Sequence, residues 1–146
     1  MRISIASDHA GFAQKQSLKS YLQGQGHDVV DRGPDSDERV DYPDYAEIVA
    51  RDVAGGRAER GVLVCGTGIG MAVAANKITG IRAANVTSPL FARLCREHND
   101  ANVVALSGRF VDEPVNREIL DVFLSAAFGG GRHEGRVRKI GELERG

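Results

Sequence analysis

The chain has 146 residues, of which 42% are apolar and 27% charged, and its net charge is −1. That length suits one domain over residues 1–146 with a real hydrophobic core, and the near-neutral charge argues against bulk electrostatic binding to nucleic acid or to an anionic membrane. Cys65 and Cys95 are too few for a disulfide scaffold, no apolar stretch approaches transmembrane length, and the chain reaches Asp8 before a signal-peptide core could form, so a reducing cytoplasm is the expected location.

Residues 2–7 alternate polar and apolar side chains and predict a first strand. Ser7-Asp8-His9-Ala10-Gly11 then turns into a helix over residues 12–23, closed by Gly24 and Gly26. Residues 28–31 read as a short second strand, residues 32–43 as a loop rich in Asp, Pro and Gly, and residues 44–54 as a helix stopped by Gly55-Gly56. A third strand over residues 61–65 leads into a glycine loop and a helix over residues 71–77. The fourth strand spans residues 81–86, a helix follows over residues 89–97 and ends at His98-Asn99-Asp100, and the fifth strand covers residues 102–106. A last long helix occupies residues 113–128. Gly129-Gly130-Gly131 separates it from a charged segment, residues 132–146, suited to a helical arm that packs on another subunit. Five strand-like runs alternating with helices imply an α/β domain built on one parallel, doubly wound sheet.

The most informative stretch is Val62-Leu63-Val64-Cys65 running into Gly66-Thr67-Gly68-Ile69-Gly70. It reads as a buried strand that delivers a thiol to its carboxyl end, where parallel sheets bind ligands. The loop does not complete the dinucleotide pattern, because Met71 stands where the last glycine belongs and no acidic residue ends the fourth strand. Nor is it a phosphate-binding P-loop, which needs Gly-Lys-Ser/Thr after four spacers. What remains is a nest of backbone N–H groups at a helix start, suited to an oxyanion or a phosphate and able to favour a thiolate. The alternative is a tight turn that serves only helix–sheet packing, with Cys65 a buried structural residue.

Asp8 and His9 follow the first strand and therefore share the sheet edge with Cys65, as does Arg109 after the fifth. Cys95 lies in an amphipathic helix and reads as core. His98 closes a helix that runs toward the opposite edge, which leaves it either a site residue or a C-cap. Arg132 and Arg136 are four apart, so a helix places both on one face where they could grip a phosphate or lie in solvent. His9, His27, His98 and His133 do not have metal-ligand spacing.

Ser7-Asp8-His9-Ala10-Gly11, Asp41-Tyr42-Pro43, Cys65-Gly66-Thr67-Gly68-Ile69-Gly70, Ala75-Asn76-Lys77, Glu97-His98-Asn99-Asp100 and Gly130-Gly131-Arg132-His133, taken in order and spacing, closely resemble the type B ribose-5-phosphate isomerase family. Its superfamily includes the galactose-6-phosphate isomerase subunits. The resemblance runs over residues 3–140. It implies a Rossmann-like fold, cofactor-free and metal-free aldose–ketose isomerisation of ribose 5-phosphate and ribulose 5-phosphate, as in the pentose phosphate pathway, and a homodimer or tetramer whose sites are shared between subunits. By the same resemblance Cys65 is the base, His98 and Asp8 open the sugar ring, and Thr67 steadies the thiol or a substrate hydroxyl. The N–H groups from Gly66, Thr67, Gly68, Ile69 and Gly70, with Asn99, form an anion hole, and His9, Arg109, Arg132 and Arg136 hold the phosphate. Tyr42 could line the sugar pocket or equally belong to the core or the surface. A branch of the family without the cysteine carries a glutamate just after the loop; Met71 stands there, so the thiol branch is indicated. The stretch Asn85-Val86-Thr87-Ser88-Pro89 departs from familiar forms of the family. Another sugar phosphate as substrate, such as allose or galactose 6-phosphate or a four-carbon sugar, or a non-catalytic phosphate-binding module, are the competing readings.

Overall fold

The computed structural model describes residues 1–145. In chain order its elements are β1 (Arg2–Ser7), α1 (Phe12–Gly24), β2 (Asp28–Asp31), α2 (Tyr42–Ala54), β3 (Arg60–Cys65), α3 (Ile69–Ala75), β4 (Ala83–Asn85), α4 (Pro89–Asn99), β5 (Val103–Ser107), α5 (Glu113–Ser125) and α6 (Arg132–Leu143). All strand pairs are parallel and the sheet runs β2-β1-β3-β5-β4. The chain leaves β1 toward one edge and later fills the other side from β3 outward, so the strand order reverses between β1 and β3. In open α/β sheets that reversal opens a crevice beyond the carboxyl ends of the two strands.

Side-chain alternation assigns the two faces. Ile3, Ile5, Val62, Val64, Val104 and Leu106 pack against Leu18, Leu22, Ile119, Leu120 and Phe123 of α1 and α5. The residues between them, Ala6, Leu63, Cys65, Val103 and Ala105, pack against Ala46, Val49, Ala50, Met71, Ala72 and Ala75 of α2 and α3. Both faces are covered, which is why β3 and β5 are apolar nearly throughout. The second face is built largely of alanine, so α2 and α3 sit close to the sheet. At Gly61 a Cβ would stand 2.7 Å from Val49 Cγ1 and 3.0 Å from Val103 Cγ2.

The element boundaries differ from the sequence pattern for local reasons. Helix α2 starts at Tyr42, ahead of the expected residue 44, because Pro43 falls in its first turn, where no N–H is needed. Helix α3 starts at Ile69 because Gly68 turns the chain directly off the strand end. Strand β4 is shorter than residues 81–86: the Arg82 N–H is taken by Asn102 Oδ1 at 2.8 Å instead of by a ladder carbonyl. Helix α4 runs on to Asn99 and stops where Asp100 adopts a left-handed conformation, φ 49°. Helix α5 ends at Ser125 as Ala126 becomes extended. The charged C-terminal segment is helical as expected over α6, and residue 146 lies outside the described residues.

Sequence pattern did not single out Lys15, the largest fully buried side chain. Its ammonium donates to Asp31 Oδ1 at 2.8 Å and to the Pro34 carbonyl at 2.6 Å, tying α1 to the end of β2 and the loop beyond. Burial alone would push the Asp31 carboxyl up, but Lys15, the Gly33 N–H and Lys19 together hold it below its ordinary value of 3.8. A depressed carboxyl stabilises the fold above that value and loses its contribution as the pH falls below it. Lys15→Met should therefore cost about 3 kcal/mol in urea unfolding at pH 7, and the variant should lose less further stability than the wild type between pH 5 and pH 3. An unfolding midpoint equal to that of the wild type would contradict this assignment.

Candidate active site

Strand β3 ends on Cys65, in register with Ser107 of β5, while Val64 is in register with Ser7 of β1. The thiol is 5% exposed, and its sulfur accepts the Gly68 N–H at 3.0 Å. Gly68 has φ 84°, and a Cβ there would collide with Asn85 Nδ2, so glycine is required by both backbone and space. Asn85 in turn donates to the Thr67 carbonyl at 3.2 Å and the Ala105 carbonyl at 3.1 Å, fastening the loop to the sheet. Ser107 holds the other side: its hydroxyl donates to the Gly66 carbonyl at 2.7 Å and accepts the Phe110 N–H at 2.9 Å. Thr67 Oγ1 accepts the Ile69 N–H at 3.1 Å, while the sulfur takes the Gly68 N–H.

Asp8, His9 and Arg109 gather at the same edge. The Asp8 N–H continues the sheet pattern onto the Val64 carbonyl at 3.1 Å, and Asp8 Oδ1 accepts the Gly11 N–H at 3.0 Å. A Cβ on Gly11 would run into the Val64 carbonyl, so only glycine lets the turn approach the strand this closely. His9 Nδ1 accepts the Val40 N–H at 3.3 Å, which leaves Nε2 to carry the proton of the neutral ring. The Arg109 side chain passes over Gly66, with Cδ and Nη1 each 3.5 Å from where a Cβ would stand. The Tyr42 ring lies against Gly70, its Cζ 2.7 Å from that residue's missing Cβ. This edge thus combines a buried thiol, a carboxylate, an imidazole, a guanidinium and a glycine loop.

The remaining expected residues lie elsewhere in the chain. Helix α4 feeds β5, so its C-terminus, with His98 and Asn99, sits at the amino-terminal edge of the parallel sheet. Helix α5 returns to that same edge, where the Gly129 N–H donates to the Glu97 carbonyl at 2.9 Å. Arg132 and His133 therefore join His98 around a cleft of about 530 Å³ that includes Glu97 and Phe128. The His98 and His133 rings stack, centroids 4.3 Å apart and planes 17° apart. Asn99 lines a neighbouring cleft of about 630 Å³, with Ile78, Arg82, Cys95, Ile140 and Leu143. Within one chain, then, Asn99 does not complete an anion hole with the loop, and His98, Arg132 and Arg136 belong to the pole opposite Cys65. Ser107 and Asn85, which shape the loop, were not assigned roles from sequence; the register of Ser107 with Cys65 is the signal that could have found the first.

Both cysteines are free. Burial pushes the Cys95 thiol up to about 11, with Arg96 only partly opposing, and its sulfur donates to the Ala92 carbonyl at 3.2 Å. The His133 imidazole is held below its ordinary value by burial first and then by His98, Arg132 and Arg136, against a small pull from Glu97. Among the described residues no cluster of three His, Cys, Asp or Glu side chains is arranged to hold a metal ion.

The family model described as ribose/galactose isomerase matches residues 3–140. Ribose-5-phosphate isomerase B of Escherichia coli is 45% identical over 143 residues, covering 98% of this chain and 96% of that protein. The solved ribose-5-phosphate isomerase B of Clostridium thermocellum superposes with a TM-score of 0.98 at 48% identity, covering 99% of this chain and 98% of that one. The Mycoplasma genitalium ribose-5-phosphate isomerase B, solved with bound ribulose 5-phosphate, superposes at 0.95 with 45% identity, covering 99% and 96%. The chain belongs to the ribose/galactose isomerase family.

The raised Cys95 thiol has a direct chemical readout. Iodoacetamide at pH 8 should leave Cys95 unlabelled until the chain is unfolded, because alkylation needs the thiolate. Peptide mass spectrometry distinguishes the two sites, and labelling of Cys95 in the native state would contradict the assignment.

Proposed function

We propose, from membership of this family, that the chain interconverts D-ribose 5-phosphate and D-ribulose 5-phosphate with Cys65 as the base. The observation that carries this reading is the Cys65 sulfur at the strand-order reversal, holding the Gly68 N–H at 3.0 Å. The adjoining N–H groups suit the charge that develops on the substrate. The branch of the family that uses a glutamate has no counterpart here, because Met71 is fully buried against the sheet.

Isomerisation begins by opening the furanose ring. The C1–O4 bond breaks as His98 gives a proton to O4 and Asp8 takes one from the C1 hydroxyl, which becomes the aldehyde. The Cys65 thiolate then removes the C2 proton, and the electron pair moves to the C1 oxygen to give a cis-enediolate. Transfer of the O2 proton to O1 and return of the thiol's proton to C1, with the C2 oxygen becoming the carbonyl, yield the ketose. The loop N–H groups other than those of Gly68 and Ile69, which are already engaged, stabilise the enediolate oxygens, and each such donor is worth about 3 kcal/mol of barrier. Arg109, Arg132, Arg136 and His9 hold the phosphate, for which the planar guanidinium is suited.

Within one chain the thiol and His98 lie at opposite poles, so this mechanism uses two copies: Cys65, Asp8, His9 and Arg109 from one, and His98, Asn99, Arg132 and Arg136 from the other. Ile69, Val73, Leu90, Phe91 and Phe110 are each more than half exposed beside the loop and the helices around it, an apolar surface of the kind a second copy covers. A homodimer is the smallest assembly that satisfies the chemistry. A cytoplasmic location suits a free-thiol enzyme of this kind, and no helix among the described residues is long and apolar enough to cross a membrane.

Cys65→Ala should reduce ribulose 5-phosphate formation by about 10³-fold or more while the far-ultraviolet spectrum stays that of the wild type. Near-normal turnover would remove the thiol from the mechanism. Arg136→Ala should raise KM about tenfold and change kcat far less, since phosphate binding is shared by ground and transition states. A wild-type protein that ignores ribose 5-phosphate but turns over allose or galactose 6-phosphate would move the reading to another substrate of the same family.

A further inference from the structure

We propose that His133 is a positioning residue for His98, holding the plane of that imidazole by stacking so that its nitrogen presents a proton to the sugar bound by a second copy. The inference rests on the reading of His98 as the proton donor in ring opening. His98 lies in the last turn of α4, and among the described residues its ring makes no hydrogen bond. What orients it within the chain is the His133 ring, 4.3 Å away and nearly parallel at 17°.

The chain is built to make that stack. Gly130 and Gly131 both have positive φ, 62° and 55°, a conformation that side chains resist. The Gly129 N–H pins the turn to the Glu97 carbonyl at 2.9 Å, and the His133 N–H closes it onto the Gly130 carbonyl at 3.0 Å. A Cβ on Gly129 would stand 2.9 Å from the Glu97 carbonyl oxygen, so the approach of the two segments depends on glycine. The triple glycine thus swings the first turn of α6 over the end of α4 and sets one ring on the other.

Charge gives the pair its second property. The groups around His133 are His98 and Glu97 from α4 and Arg132 and Arg136 from α6. Two stacked imidazoles beside two guanidiniums and a single carboxylate cannot both carry a proton near neutral pH. His133 is the ring held neutral, since burial and its three cationic or protonatable neighbours oppose its charging. The neutral face of His133 is a favourable stacking neighbour for a ring that carries a proton.

His133→Ala and His133→Phe separate this role from the others. The alanine variant, which removes the stack, should lower kcat about tenfold or more with KM changed by less than about threefold. The phenylalanine variant, which restores an aromatic face, should recover most of the lost kcat. Nuclear magnetic resonance titration of the His98 ring reads the coupling without reference to turnover. The His98 profile in His133→Phe should differ from that of the wild type, because the coupled neighbour is gone. Equal loss in both variants, a defect confined to KM, near-normal kcat in the alanine variant, or an identical His98 titration in His133→Phe would each overturn the proposal. If the wild type does not isomerise ribose 5-phosphate, the functional reading fails on its own while the titration still decides the coupling.

Discussion

The hydrogen bond from the Gly68 N–H to the Cys65 sulfur is the contact on which the rest of the site depends. It requires a strand that ends on a thiol, a residue that can hold φ 84°, and a helix that starts one residue later. A side chain at Gly68 would meet Asn85, the residue that fastens the loop to β4 and β5, and the left-handed conformation alone would cost about 1–2 kcal/mol. Ser107 grips Gly66 from the far side. The loop is therefore held at both ends by the sheet, which fixes the orientation of its backbone. Such preorganisation lets backbone dipoles stabilise a developing oxyanion without rearranging during the reaction.

From that contact outward, the molecule divides its chemistry between two poles. The carboxyl edge of the sheet holds the thiol, Asp8, His9 and Arg109; the amino edge holds His98, His133, Arg132 and the start of α6. Right-handed parallel connections make this separation unavoidable, since each helix carries the chain from one edge back to the other. A residue at the end of a helix and a residue at the end of a strand cannot meet within one such domain unless a long loop folds back. In the proposed homodimer a second copy would supply the meeting without distorting either element, and it would cover the apolar side chains exposed around α3 and the start of α4.

How much of this was legible in the sequence follows from which forces are local. The five strands and the thiol at the end of β3 could be read because buried strands are apolar runs bounded by glycine and charge. The edge shared by Asp8, His9, Cys65 and Arg109 followed from chain order alone. Chain order also placed His98 at the opposite pole, while the family resemblance placed it in the site; the structure bears out the first for one chain, and the second needs two chains. The insertion of β5 between β3 and β4, the grip of Ser107 on Gly66 and the burial of Lys15 were not legible, because each depends on partners far away in sequence.

The central claim is that each active site is assembled from the thiol pole of one copy and the histidine pole of another. The most direct test is to co-express Cys65→Ala with His98→Ala and assay ribose 5-phosphate isomerisation in the mixed population. Each variant alone should be inactive. Random pairing makes half of the dimers mixed, each with one intact site of two, so the mixture should recover about one quarter of wild-type turnover. A mixture as inactive as its components would contradict the account, because it would mean that both halves must come from the same chain.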